Sequence, residues 1–186
     1  METALIIVGG IAGVALLWLL MTFNRLVRLR NHCTEAWSNI DTELKRRYAL
    51  IPNLVNTVKG YAAHERGLFE EITRLRNECT RATGSPREQA LPENQLVGAL
   101  NRLIAVVENY PDLKASNNFL QLQEELANTE DRIQAARRFY NGNVREMNNA
   151  VQSFPSNLVA GAFGFQQREF FEIEDAAVRR APQVRM

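Results

Sequence analysis

Residues 33–79 read CTEAWSNIDTELKRRYALIPNLVNTVKGYAAHERGLFEEITRLRNEC, and their spacing decides the fold. Steps of four and three alternately land on Cys33, Trp37, Ile40, Leu44, Arg47, Ile51, Leu54, Val58, Tyr61, Glu65, Leu68, Ile72, Leu75 and Cys79. Twelve of these fourteen positions are apolar, a match that no period-two template approaches. A seam recurring about every 3.5 residues marks long helices packed at shallow angles. Two interruptions are expected. Pro52 removes one amide donor and crowds the preceding turn, so it should kink the helix. Gly60 and Gly67 bracket His64-Glu65-Arg66, where the chain has room to turn.

Toward the C-terminus, Thr83 to Pro92 (TGSPREQALP) reads as a loop, with Gly84, Pro86 and Pro92 as breakers. A short amphipathic helix follows, carrying Leu96, Leu100, Leu103, Val107 and Tyr110, and Tyr110-Pro111-Asp112 ends it. The next helix places Phe119, Leu126, Ile133, Tyr140, Met147 and Phe154 at strict seven-residue steps. No alternating β-branched run occurs anywhere, so the fold class is all-α. Asn24–His64 and Asp112–Gln152 are 41 residues each. If the first helix turns near Glu65, they form a matched antiparallel pair, with shorter helices at about 66–82 and 93–109. If it runs straight to Ala82, the 83–92 loop must stretch. The matched pair is the simpler solution. Either way the expectation is an elongated antiparallel bundle of three to four helices.

Toward the N-terminus, Ala4 to Phe23 is a 20-residue run without a charge. At a rise of about 1.5 Å per residue it spans about 30 Å, the thickness of a hydrocarbon core. It is too long for a signal-peptide apolar region, lacks a basic start, and ends without a small-x-small cleavage site. Cys33 lies too far along for a lipoprotein start. The domains expected are therefore a transmembrane helix at 4–23, a soluble helical bundle at 24–171 and a flexible tail at 172–186. Arg25, Arg28 and Arg30 follow the run, while only Glu2 precedes it. The positive-inside rule then puts the amino terminus outside and the bundle in the cytoplasm, on a single-pass membrane protein. The alternative is that the arginines serve the fold alone and the bundle lies in the periplasm or outside. Gly9 and Gly13 make a small-xxx-small pair, a candidate self-association face.

From Phe154 to Phe165 the pattern breaks into FPSNLVAGAFGF, rich in small and aromatic residues. Phe154, Phe163, Phe165, Phe170 and Phe171 are five of the nine phenylalanines. They are read either as a plug folded back onto the bundle or as a membrane-interface segment. Arg179, Arg180 and Arg185 give the tail a weak means of touching anionic headgroups.

Little here resembles catalytic chemistry. His32 and His64 are 32 residues apart, and His64-Glu65 has no second histidine at zinc spacing. Cys33 and Cys79 fall on the seam, where cysteine acts as a small hydrophobe. No phosphate loop, nucleophile elbow or paired carboxylates appear, so no catalytic, cofactor-binding or metal-binding residue is assigned and no enzyme is expected. Lys and Arg total 22 against 21 Asp and Glu, a net charge of +1, which leaves no field to recruit nucleic acid. Arg47 and Glu65 interrupt the seam. A buried charge needs a partner, so each is a candidate for fixing helix register, or else for docking a partner protein. Asn117, Asn118, Asn148 and Asn149 read as caps or interhelical contacts.

Several segments together resemble the LemA family of bacterial membrane-anchored proteins. They include Asn24 to Asn31 (NRLVRLRN), Ala36 to Asp41 (AWSNID), Leu44 to Val55 (LKRRYALIPNLV) and Lys59 to Ala62 (KGYA). Tyr110 to Lys114 (YPDLK), Asn118 to Leu120, Phe139 to Asn141, Phe154 to Leu158 (FPSNL), Phe163 to Phe165 and Phe170 to Glu172 continue it. Phe23-Asn24 stands where the family often has Tyr-Asn, and Gly142 where Asp is usual. The resemblance implies one anchor followed by a helical bundle and brings no catalytic residues or cofactors. It also implies a partner, because genes of the family often neighbour those of HtpX-type membrane metalloproteases. Some relatives begin like lipoproteins, which keeps the exterior location open. Three readings follow: a non-enzymatic scaffold that self-associates and organises envelope membrane proteins; an adaptor or regulator of such a protease; and a bilayer-remodelling protein acting through the 154–171 aromatic segment.

Overall fold

A computed structural model describes residues 1–172, and every regular element among them is helical. Helix α1 is Glu2–Lys59, α2 Arg66–Arg81, α3 Pro86–Val107, α4 Pro111–Lys114, α5 Asn117–Gln152 and α6 Ser156–Ala162. The protein is an all-α helical bundle. Its chain divides into two compact units, one formed by Met1–Ser38 with Arg138–Arg168, the other by Asn39–Arg137 with the described residues from Glu169. Both α1 and α5 contribute to each. The expected tail, with Arg179, Arg180 and Arg185, lies outside the described residues apart from Glu172.

The chain turns where the glycines and His64-Glu65-Arg66 allowed it to. Helix α1 ends at Lys59, whose charge suits the negative end of the helix dipole. The Tyr61 and Ala62 amides then donate to the Val58 carbonyl at 3.0 and 2.9 Å, and α2 begins at Arg66. The seam follows this break. Ile40, Leu44, Ile51, Leu54 and Val58 are buried, Tyr61 is 49 % exposed, and burial resumes at Phe69, Ile72, Leu75 and Cys79. Tyr61 stands on the expected seam but belongs to the turn, where the helical register no longer applies.

Three element boundaries lie elsewhere than the sequence pattern places them. The stretch read as a loop at 83–92 is mostly helix. Ser85 caps α3 by accepting from the Glu88 amide, and the Glu88 carboxylate accepts from the Ser85 amide in return, a reciprocal capping box with Pro86 at the first position. The helix then runs through Pro92. Asp112 does not open the long fifth helix, because the short α4 intervenes before Asn117. Phe154 completes the seven-residue series on paper, yet α5 stops at Gln152 and Phe154 is 79 % exposed.

Pro52 leaves α1 continuous, and the surrounding chemistry explains how. A proline at 52 cannot donate to the carbonyl four residues back, that of Tyr48. Arg76 of α2 supplies the missing donor, its Nε lying 2.7 Å from the Tyr48 oxygen. The vacancy in one helix becomes the attachment point of another. In the same unit α2 packs on α3, with Arg102 Nη2 2.7 Å from Glu71 Oε1. Asn118 of α5 donates to Thr57 of α1 at 3.3 Å, while Glu130 of α5 meets Arg47 of α1. Ascending one helix descends the other, so the two helices are antiparallel here.

Arg76→Met should therefore lower stability by about 1–3 kcal/mol, the usual cost of a buried carbonyl left without a donor. In a Pro52→Ala background the restored amide refills that carbonyl, and the same Arg76 substitution should cost clearly less. Urea unfolding of the four detergent-solubilised proteins of the cycle measures this; equal costs in both backgrounds would refute the explanation.

Candidate functional site

Two groups of side chains stand out, one in each unit. In the unit of Asn39–Arg137, Arg47 is fully buried. Its Nη1 lies 2.8 and 3.1 Å from the two carboxylate oxygens of Glu130 on α5. Its Nη2 pairs with Glu93 of α3, itself 1 % exposed. The Tyr48 hydroxyl donates to the other Glu93 oxygen, and the Cys79 thiol of α2 hydrogen-bonds the same carboxylate. Helices α1, α2, α3 and α5 thus meet at one buried ionic cluster.

The electrostatics follow from burial and charge sign. Burial disfavours the Arg47 charge, but the Glu93 and Glu130 carboxylates more than offset this and hold it above its ordinary range. Burial, reinforced by the Glu93 charge, pushes the Tyr48 phenol and the Cys79 thiol strongly upward. The Tyr48 phenol and the Cys79 thiol therefore keep their protons beyond the pH at which each would ordinarily lose them. Among the described residues no group of three or more His, Cys, Asp or Glu is arranged to hold a metal ion. Both cysteines are buried free thiols, and burial raises that of Cys33 as well.

In the unit of Met1–Ser38 and Arg138–Arg168, the other group lies at the end of the apolar run. The Phe23 ring stands edge-on to Phe163 at 4.9 Å and to Phe165 at 5.7 Å. Arg30, two turns further along α1, covers Phe165 with its guanidinium 5.4 Å from the ring centre. A short segment places these rings. Ser156 Oγ donates to the Ala150 and Ser153 carbonyls at 2.7 and 2.9 Å, binding the start of α6 to the end of α5. At its other end the Phe165 amide donates to the Ala160 carbonyl at 2.9 Å and Gly164 adopts φ 70°, a Schellman stop that side chains other than glycine resist. Asn148 of α5 then clamps the returning chain, its amide exchanging 2.8 and 2.9 Å bonds with the backbone of Arg168.

The residues singled out in the sequence fall in different surroundings. Gly9 and Gly13 are exposed on α1, with nothing within 4 Å of where a Cβ would stand. Arg47 is inside the cluster, whereas Glu65 is half-buried in the turn before α2 and makes no side-chain cap bond. The aromatic segment divides: Phe165 and Phe171 are buried at 8 % and 0 %, while Phe154, Phe163 and Phe170 are exposed at 79 %, 53 % and 36 %. Glu93, Tyr48 and Glu130 were missed. Glu93 sits three residues before Leu96, one step back along the same apolar spacing, so extending that series through Pro92 would have found it.

The LemA family model matches residues 36–186. Magnetosome protein MamQ 2 of Paramagnetospirillum magneticum is 29 % identical over 199 residues, covering 93 % of this chain and 73 % of that protein. Magnetosome protein MamQ of Magnetospirillum gryphiswaldense is 28 % identical over 183 residues, covering 85 % and 67 %. Protein LemA of Metamycoplasma hominis is 34 % identical over 140 residues, covering 74 % of this chain and 63 % of that protein. None of these relatives bears the name of an enzyme.

Two outcomes test the cluster. Arg47→Met strands the Glu93 carboxylate in the interior and should cost about 3–5 kcal/mol. Combining it with Glu93→Leu removes both charges and should recover most of that loss in urea unfolding; a double variant as unstable as the single one would contradict the pairing. The second concerns pH. The fold keeps the Tyr48 and Cys79 protons where the unfolded chain gives them up, so the folded state binds more protons at alkaline pH. Their contribution is fully present below about pH 9 and is lost progressively as pH rises above it. Urea midpoints measured from about pH 8 to about pH 10.5 should fall, and less steeply for Tyr48→Phe. An unchanged slope in that variant would remove Tyr48 from the account.

Proposed function

The chain belongs to the LemA family, and we propose that it is a single-pass membrane protein acting without catalysis as a self-associating scaffold. Residues 4–23 are its anchor, residues 24–171 its soluble bundle, and Arg25, Arg28 and Arg30 hold that bundle on the cytoplasmic side of the inner membrane. What it organises or regulates are envelope membrane proteins, with a membrane metalloprotease among the candidate partners.

The observation that carries this reading is the state of the apolar run. Among the described residues one helix is long and apolar enough to cross a membrane, and none of its apolar stretch is buried in the fold. Leu5, Ile6, Val14 and Met21 are 72 %, 73 %, 70 % and 64 % exposed. A soluble protein does not leave a continuous apolar surface of this extent in water. The same helix, Glu2–Lys59, continues without a break from the apolar run into residues that pack in the bundle. The cluster around Arg47 supports a scaffold in a different way. Its charges are spent on one another inside the fold, where they fix which helices meet and in which register, and Arg47 itself offers nothing to an outside partner.

Within the membrane, Gly9 and Gly13 offer the close backbone approach that helix pairs use. Sedimentation of the detergent-extracted protein should show a dimer or larger species, shifted toward monomer by Gly9→Ile with Gly13→Ile. Monomer alone in the unmodified protein would overturn self-association. Light crosslinking in cells followed by purification identifies the partner: copies of itself with several envelope proteins support the scaffold, and one stoichiometric protease would replace it with an adaptor.

A further inference from the structure

The α5–α6 junction is uncharged over a long stretch: from Met147 to Gln167 the sequence contains no Asp, Glu, Lys or Arg. Part of this stretch is core, since Met147, Val159, Ala160 and Phe165 are buried. The rest turns outward. Phe154, Leu158 and Phe163 are 79 %, 62 % and 53 % exposed, and Gly161 and Ala162 beside them are exposed too. Large apolar side chains held outward on an ordered, uncharged segment need a non-aqueous surrounding or a partner.

Their position says which. Phe163 is fixed against Phe23, the last residue of the 4–23 run, by the 4.9 Å ring contact. If 4–23 fills the hydrocarbon core, Phe23 marks the depth at which α1 leaves it, and the exposed edge of α6 lies at that same depth. The polar features nearby agree with a headgroup layer. Arg25, Arg28 and Arg30 are exposed within two turns beyond Phe23, where their guanidinium groups suit lipid phosphates. Aromatic rings are the side chains that favour this boundary between chains and headgroups.

We propose that Phe154, Leu158 and Phe163 form an interfacial foot that inserts into the leaflet from which α1 emerges, with anionic phospholipid as its occupant. This rests on the anchor reading and deepens it: the protein touches the membrane twice, once through the spanning helix and once through α6. A single span leaves a bundle free to tilt and swivel about its exit point. A second contact on a neighbouring element removes much of that freedom and sets the bundle's orientation on the bilayer.

The test uses the full-length protein reconstituted into phosphatidylcholine–phosphatidylglycerol vesicles, with tryptophan emission quenched by lipids brominated near the headgroup or near the bilayer centre. One protein keeps Trp18 as its only tryptophan, through Trp37→Phe, and reports the anchor. A second carries Leu158→Trp with Trp18→Phe and Trp37→Phe, and reports the foot. Leu158 is exposed, so its replacement leaves the core intact. The proposal expects loss of the Leu158→Trp emission with shallow bromines and little loss with deep ones, alongside quenching of Trp18. Quenching of Trp18 alone overturns the foot while leaving the anchor in place. Quenching of neither overturns the foot and the anchor together. Phe154→Ser with Phe163→Ser, introduced into the second protein, should restore its emission under shallow quenching; undiminished quenching would also count against the foot.

Discussion

A guanidinium without access to water sets the terms for the larger unit. Arg47 is on the face of α1 that every neighbouring helix must cover, and a buried charge is tolerated only when others neutralise it there. Glu93 and Glu130 do so from α3 and α5, and Tyr48 and Cys79 give Glu93 further hydrogen bonds. Apolar seams alone specify poorly which partner lies opposite, because one leucine row packs against another at several registers. An ion pair in the middle of the seam is far less forgiving. Sliding α3 by one turn would leave Glu93 buried and unanswered. The cluster therefore adds selectivity to contacts whose bulk is hydrophobic.

The same logic recurs at Pro52, with a neutral group. Proline deprives the Tyr48 carbonyl of its helical donor, and Arg76 takes the place from α2. Tyr48 thus faces two helices, α3 with its hydroxyl and α2 with its backbone oxygen. In both cases a polar demand created by one residue of α1 is met by a residue far away in sequence, and meeting it docks a helix. A helix breaker read locally as a defect is, in the packed structure, a means of attachment.

This bears on what the sequence could disclose. The seam from Cys33 to Val58, the turn near Glu65 and the resumption at Ile72 are legible because each follows from local periodicity and from glycine's freedom. The reading failed where two local rules competed. In TGSPREQALP, the breakers Gly84, Pro86 and Pro92 mask Ser85 and Glu88, whose reciprocal bonds start α3. Pro86 at the first helical position costs nothing, since that amide has no helical acceptor. Losing that helix start also hid Glu93, and with it the partner that Arg47 required. The aromatic segment was indivisible from sequence for another reason. Whether Phe163 or Phe165 points inward depends on the Schellman turn at Gly164, a single backbone choice that composition does not report.

That turn also connects fold to location. Gly164 reverses the chain so that the rings on either side of it both reach Phe23, and one of them, Phe163, remains more than half exposed. Burying both rings would have made the segment a plug and left the end of the apolar run bare. Exposing both would have left α6 without a hold on α1. The observed division does each task once: Phe165, under the Arg30 guanidinium, secures the segment, and Phe163 stays available at the level where the apolar run ends. A residue that is anchored on one side and apolar on the other is suited to a boundary, and it is on this division between Phe163 and Phe165 that the proposed interfacial foot rests.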